Sequence, residues 1–156
     1  MPEVTTIVLA GGAAIRMRPL SLDKSKSMIS FMGKPLLFHL IRFLKVCGLS
    51  DIVLTSTGIN GEIKDYFSDG RKYEVSITYY EGERWYGTAG TVKEAMQEMK
   101  EKISDTIMVI YGDSLLRADF EKMLRFHLDR GSWCTILYHR PNFESFSYDY
   151  HDKGFE

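Results

Sequence analysis

Basic side chains are concentrated in one stretch of this chain, directly after its first apolar run. The apolar run ends at Gly11 and Gly12, and the basic residues that follow are Arg16, Arg18, Lys24 and Lys26. A glycine pair at the end of a strand lets backbone N–H groups come close to a phosphate. Because the basic side chains add the opposite charge, the stretch favours a clamp for a triphosphate. A tight turn beside a solvated basic face is the alternative interpretation.

Two familiar phosphate-binding loops do not occur in the sequence. The Walker A pattern GxxxxGK[ST] is absent, and so is the dinucleotide fingerprint GxGxxG. An NAD-dependent oxidoreductase would need that fingerprint and an acidic residue for the ribose, so this class of enzyme is disfavoured. The basic stretch therefore predicts a phosphate site of another kind.

Alternating strands and helices position this stretch. Apolar, β-branched runs predict strands at 5–9, 51–56, 75–79, 106–111 and 133–138. Apolar spacing predicts helices at 62–67, 89–103 and 119–130, and a further helix begins at Pro35 and ends before a cap at Gly48. The alternation predicts an α/β fold with a doubly wound, mostly parallel sheet and helices on both faces. Ligands bind such sheets beyond the carboxyl ends of the strands, where the basic stretch is expected.

The same spacing predicts the inward face of each longer helix. The residues expected to face inward are Leu36, Leu40, Phe43, Leu44 and Cys47; then Val92, Met96, Met99 and Ile103; then Phe120, Met123, Leu124 and His127. Residues 11–34 have no clear period and are predicted to form a long irregular loop, which is usually functional or disordered.

Composition limits the function classes. The 156 residues include 20 Lys plus Arg and 21 Asp plus Glu, and this balance argues against nucleic-acid or membrane-surface binding. Cys47 and Cys134 stand alone, without ligand spacing, and are expected to be reduced core thiols. The first apolar run is too short for a signal peptide or a membrane span. We therefore expect a cytoplasmic protein.

Taken in order, the motifs resemble those of the sugar-1-phosphate nucleotidylyltransferases, which include mannose-1-phosphate guanylyltransferases and glucose-1-phosphate thymidylyl- and uridylyltransferases. The family pattern is G-G-x-G-T-R-L-x-P-L-T, then K-P-K-P-M, then G-K-P-L. The residues that match it are Gly11, Gly12, Arg16, Pro19, Leu20, Lys24, Lys26, Met28 and the segment 33–36. Later matches are segments 66–70, 87–90, 112–113, 126–127 and 135–137, so the resemblance extends along the whole chain.

The resemblance implies the fold given above and a reaction that joins an NTP to a sugar 1-phosphate and releases pyrophosphate. It implies that Arg16 and Lys26 contact phosphates, and that Asp113 is one of two carboxylates holding Mg²⁺. The residues implied to bind the nucleotide are Leu9, Ala10, Gly11, Gly12, Ala13, Ala14, Gly87 and Thr88, with Glu81 and Gly82 near the base. From its position alone Asp113 also suits a turn or a helix cap, and Thr88 suits a cap for a helix beginning at Ala89.

The sequence departs from the family pattern in two loops. Ala14 and Ile15 replace Gly and Thr, and Ser25 and Ser27 replace the prolines beside Lys26. Loss of the prolines is expected to loosen a segment that should be rigid. Ala14 and Ile15 favour a second hypothesis, in which the chain is a non-catalytic regulatory or assembly subunit of nucleotidylyltransferase type.

The C-terminal residues indicate an incomplete domain. A predicted strand at 147–150 and a turn at 151–154 resemble one arm of a hairpin. The family has an E-K-P segment and a second metal-binding Asp beyond the position of Glu156. We therefore expect residues 1–156 to be the N-terminal, nucleotide-binding part of one catalytic domain, which by itself binds NTP weakly and releases no pyrophosphate. The unpaired arm near Tyr148 predicts a homo-oligomer or a recruited partner strand.

Overall fold

The computed structural model describes residues 3–11, 25–56, 61–82, 87–115 and 118–138. The chain divides into two compact units, Met1–Ala118 and Asp119–Glu156. The strands of the first unit are β1 (Val4–Leu9), β2 (Ser30–Phe31), β3 (Lys34–Pro35), β4 (Asp51–Ser56), β5 (Ser76–Glu81) and β6 (Thr106–Tyr111). Its helices are α1 (Leu36–Val46), α2 (Gly61–Phe67) and α3 (Gly87–Glu98), with short 3-10 turns at Lys26–Met28 and Arg71–Tyr73. The second unit contains α4 (Phe120–Asp129).

The main sheet has the order β5-β4-β1-β6, and all of its pairs are parallel. The chain therefore moves outward from β1 through β4 to β5 and then returns to the other side of β1. This reversal confirms the doubly wound topology predicted from the sequence. In such sheets the crevice at the reversal point, here between the ends of β1 and β6, is the usual ligand site.

In β1 and β4, side chains on both faces of the sheet are buried, as expected when helices cover both sides, whereas Val109 and Tyr111 of β6 are exposed. On one face Ile7 and Val53 form a core cluster with Ala95 and Met99, which belong to α3 and the turn after it. On the opposite face Leu54 has no exposed surface. The connections through α1 and α2 lead outward from β1 to β4 and β5, and the connection through α3 leads back across β1 to β6. Because such crossovers are right-handed, α1 and α2 lie on that second face and α3 lies on the first.

Helix α3 begins and ends earlier than predicted, and its inward face is rotated. Its buried residues are Thr91 and Ala95, and Met99 is buried just beyond the helix end. Val92 and Ile103 are partly buried against the core cluster as predicted. Met96 is exposed, so its predicted inward position is wrong. Ala95 faces the sheet because a small side chain lets the helix approach it closely.

The inward face of helix α1 matches the prediction only at Leu40 and Leu44. Pro35 belongs to β3 and precedes the helix rather than occupying its first turn. The buried residues are Leu37, Leu40, Ile41 and Leu44, whereas Leu36, Phe43 and Cys47 are only half-buried. The helix is apolar over most of its circumference, so the apolar spacing fitted two neighbouring faces. Packing against the sheet selects the face centred on Leu37 and Leu40.

The C-terminal cap of α1 is as predicted. Gly48 has φ +75°, its N–H donates to the Lys45 carbonyl, and the Leu49 N–H donates to the Leu44 carbonyl. This pair of bonds is a Schellman motif, in which a left-handed glycine satisfies the last helical carbonyls. The motif turns the chain sharply into β4.

Residues 25–35 are more ordered than a long irregular loop. The 3-10 turn at Lys26–Met28 is followed by an antiparallel hairpin of β2 and β3. Met32 and Gly33 form its turn with φ +50° and +78°, a pair of positive values that matches a two-residue hairpin turn. The predicted loop is therefore wrong over these residues.

The second unit confirms one predicted helix and contradicts one predicted strand. The Asp119 side chain caps α4 by accepting from the Lys122 N–H at 2.9 Å, and Phe120 and Leu124 are buried on the predicted face. The predicted strand at 133–138 is wrong, since no ladder forms there within the described part of the chain. Trp133 is fully exposed. Cys134 is also exposed, so the expectation of a core thiol fails there.

Among the residues placed by the structure, no helix is both long and apolar enough to cross a membrane. The predicted arm at 147–150 lies outside the described residues.

Candidate functional site

Two side chains predicted to act on phosphate and metal meet at the reversal point of the sheet. The Lys26 Nζ lies 2.5 Å from Asp113 Oδ2, with side chains 45% and 25% exposed. Asp113 follows β6 directly, and Lys26 lies in the segment that returns towards the end of β1. The structure thus forms a charged pair at the edge where a doubly wound sheet binds ligands.

Gly112 brings the end of β6 against the end of β1. Its N–H donates to the Leu9 carbonyl at 2.9 Å, and a Cβ at this position would lie 3.1 Å from that same oxygen. The glycine is therefore needed for close backbone approach. On the side where a Cβ would project, the nearest atoms belong to the backbone of Leu9 and Ala10 and the side chain of Val8.

The residues beside Lys26 are hydrogen-bonded to each other and to the end of β1. Ser25 and Ser27 are buried, their hydroxyl oxygens are 2.6 Å apart, and both lie within hydrogen-bond distance of the Ala10 carbonyl, at 3.3 and 3.4 Å. The Met28 N–H donates to the Ser25 carbonyl at 2.9 Å. The loosening expected from the loss of two prolines stays a prediction. Buried side-chain hydrogen bonds hold the segment against β1.

The backbone of the predicted nucleotide-binding stretch is partly committed to the protein itself. The Ala10 N–H donates to the Thr55 carbonyl at 3.0 Å, the Ala10 carbonyl accepts from the serine pair, and the Leu9 carbonyl accepts from Gly112. These contacts fix the end of β1 in place. Gly11 is exposed beyond them, where its backbone is accessible to a ligand.

The position predicted to lie near the base carries a carboxylate that is already paired. Glu81 is the last residue of β5, and its Oε1 lies 2.5 Å from the Nζ of Lys64, with side chains about half exposed. Lys64 also lies over the ring of Tyr79, 5.5 Å from its centroid. The partially exposed Gly82 follows directly. A carboxylate acceptor and an ammonium donor thus stand together at this strand end.

Gly87 and Thr88 open helix α3. Gly87 has φ +72°, a conformation that favours glycine. Because the helix begins at Gly87 rather than Ala89, Thr88 lies within its first turn, and its predicted role as the preceding cap is wrong. The Thr88 hydroxyl lies 3.4 Å from the Tyr111 hydroxyl, which brings the helix start next to β6, two residues before Asp113.

Several predicted site residues are not placed. Gly12, Ala13, Ala14 and Arg16 lie outside the described residues. Conversely, the sequence did not indicate that Lys64 would pair with Glu81. It indicated Ser25 and Ser27 only as replacements for proline. The signal for the serines was available, since two hydroxyl residues flank a lysine in a segment beside an expected phosphate site.

The acidic residues give a limited metal-binding capacity. Over the described ranges, no group of three or more His, Cys, Asp or Glu side chains could hold a metal ion. Asp113 is a single carboxylate beside a cation. Such a residue suits an ion that arrives with most of its own oxygen ligands, rather than one held in a cage of protein ligands.

The chain is similar to known proteins over most of its length. A family model described as Nucleotidyl transferase matches residues 5–148. The UTP–glucose-1-phosphate uridylyltransferase of Synechocystis sp. is 31% identical over 140 residues, covering 84% of this chain and 36% of the relative. The mannose-1-phosphate guanylyltransferase of Mycobacterium tuberculosis is 32% identical over 134 residues, covering 86% and 36%.

A solved structure is also similar to this chain. HddC from Yersinia pseudotuberculosis, complexed with GMP-PN, superposes with a TM-score of 0.70 at 26% identity, covering 80% of this chain and 54% of that one. This chain spans only 36% of the length of each of the two curated relatives.

Proposed function

Because this chain belongs to the nucleotidyl transferase family, we propose that it supplies the nucleotide-binding part of a sugar-1-phosphate nucleotidylyltransferase. The reaction transfers a nucleotidyl group from an NTP to a sugar 1-phosphate and gives a nucleotide sugar and pyrophosphate. Relatives named for uridylyl and guanylyl transfer support this reaction type. The proposal includes the cytoplasmic location expected from the sequence.

The observation that carries the proposal is the Lys26–Asp113 pair at the reversal point of the sheet. A phosphate chain needs a cation there, and Lys26 is tethered by its neighbours to the end of β1. The Asp113 carboxylate suits a divalent ion bound mainly by phosphate oxygens, since Mg²⁺ commonly uses one or two carboxylates plus substrate phosphates. We therefore assign Lys26 to phosphate and Asp113 to Mg²⁺, which when bound would neutralise phosphate charge.

The reaction requires few other groups from the protein. A sugar phosphate is largely ionised near neutral pH, because its second pKa is about 6. No general base is required. The barrier comes from repulsion between two anions and from their alignment at the α-phosphorus, and a fixed cation lowers both contributions.

The pair also suits a site that must open for its ligand. Ion pairs between partly exposed groups contribute only about 0–1 kcal/mol. An incoming triphosphate can therefore displace Asp113 from Lys26 at little cost. Before the triphosphate binds, the Lys26 ammonium group and the Asp113 carboxylate neutralise each other.

A screen for pyrophosphate release tests the proposal. The complete gene product is assayed with five NTPs and common sugar 1-phosphates, and turnover is expected for at least one combination. Lys26→Met and Arg16→Ala should each lower kcat/KM by roughly 10²–10³, the scale of one lost charge stabiliser. Nucleotide binding without turnover would instead support the non-catalytic subunit. Wild-type rates in both variants would refute the assigned roles.

A further inference from the structure

The serine pair that flanks Lys26 forms a small hydrogen-bonded unit, which we call the Ser25/Ser27 clamp. Two hydroxyl groups have two hydrogens. With the oxygens 2.6 Å apart, one serine donates to the other, and the second donates to the Ala10 carbonyl. Both side chains are at least nine-tenths buried, so water does not compete for these bonds.

The clamp acts on a short segment whose other anchors are the buried Met28 side chain and packing against α1. The 3-10 turn at Lys26–Met28 has three residues, too few for a helix that is stable by itself. Ser25, at its start, has φ −59° and ψ 145°. The clamp joins both sides of Lys26 to one carbonyl of β1, and the Ala10 N–H in turn is held by Thr55.

We propose that Ser25 and Ser27 are positioning residues for phosphate binding: they fix the backbone of Lys26 against the end of β1, so that its ammonium group is aimed at the site before a ligand arrives. This inference rests on the proposed role of Lys26. Holding a cation in place in advance saves the ordering cost that a flexible lysine would meet on binding. In the simpler alternative, the serines only fill space beneath the turn.

A double-mutant cycle distinguishes the two. The probes are inorganic tripolyphosphate and GTP, with affinity measured by titration calorimetry on the complete gene product. Ser27→Ala should weaken tripolyphosphate binding roughly tenfold in the presence of Lys26 but less than about twofold in a Lys26→Met background, because coupled residues are not additive. Equal effects in both backgrounds would overturn the proposal.

Ser104→Ala is the matched control. The Ser104 hydroxyl lies 3.1 Å from that of Thr5, near the amino-terminal end of β1. This variant therefore removes one hydroxyl that contacts β1 at the end opposite to the clamp. It should leave tripolyphosphate affinity unchanged. A loss equal to that of Ser27→Ala would show that any weakening of β1 has the same effect, and would refute a specific action on Lys26.

Hydrogen exchange tests the clamp without any ligand. Ser27→Ala should speed exchange of the Met28 amide, which donates to the Ser25 carbonyl, roughly fivefold, the scale of one lost net hydrogen bond. Unchanged exchange would refute the clamp itself. If the wild-type protein binds neither GTP nor tripolyphosphate while exchange responds as expected, the proposed function fails and the clamp stands.

Discussion

Replacing Asp113 by Asn should change nucleotide affinity in opposite directions with and without Mg²⁺. Without the metal, Asp113 competes with phosphate for Lys26 and repels it. The pair is partly exposed, at 45% and 25%, so its loss frees about 0.2–1 kcal/mol. This corresponds to NTP binding that is tighter by up to about fivefold. With Mg²⁺ present, the variant loses a metal ligand, and affinity should fall roughly 10–100-fold.

Calorimetric titration of GTP and UTP, with EDTA and with millimolar Mg²⁺, measures both effects. Asp105→Asn serves as the control, because it makes the same charge change on an exposed residue just before β6, at the other end of the strand. Only for Asp113→Asn should the change in nucleotide affinity reverse its direction between EDTA and Mg²⁺. A variant with the same affinity shift in both conditions, or with none, would mean that Asp113 is a turn residue and that the metal assignment is wrong.

Three further predictions concern other parts of the first unit. Glu81→Gln should leave the free energy of unfolding within about 1 kcal/mol, because its pair with Lys64 is half exposed, yet change the relative affinities for the five NTPs; an unaltered ranking would remove Glu81 from the base site. Thr6→Val should raise the melting temperature, since the buried Thr6 hydroxyl lacks a hydrogen-bond partner among the residues the structure covers and an unpaired buried polar group costs about 1–3 kcal/mol; a lower melting temperature would indicate a hidden partner. Burial raises the pKa of Tyr79 from 10.0 to about 12, so the folded state retains a proton that the unfolded chain loses, and stability should fall between these pH values. Melting curves of the wild type and Tyr79→Phe across this range check it: the wild type should lose stability relative to the variant as pH rises, because Phe has no proton to lose, and a constant difference would refute it.

The elements that the sequence predicted well are those fixed by local signals. Strands β4 and β6 have the predicted bounds because each is a continuous apolar, β-branched run closed by polar residues or glycine. Gly48 ends α1 because a left-handed residue was needed there. The order of alternating elements then determined the topology.

The errors came from properties that depend on tertiary contacts. The inward face of α1 is centred on Leu37 and Leu40 because the sheet selects it; the helix's own apolar spacing does not. The apolar run at 133–138 forms no ladder within the described part of the chain, because a strand also needs a paired neighbour, which its own composition does not supply. The Lys64–Glu81 pair joins a helix to a strand end, and nothing in the local spacing of either residue indicates it.

Both charged groups of the site depend on the same short piece of backbone. The Leu9 carbonyl accepts from Gly112 and so locates Asp113, while the next carbonyl, that of Ala10, accepts from the Ser25/Ser27 clamp and so locates Lys26. Two successive carbonyls point to opposite sides of a strand, so one strand end can hold a loop on each side. This explains why the backbone of Leu9 and Ala10, two residues predicted to bind the nucleotide, is occupied by protein contacts. The end of β1 acts first as the support that brings cation and carboxylate together, and Gly11, exposed just beyond it, is where the proposed function requires direct contact with a phosphate to begin.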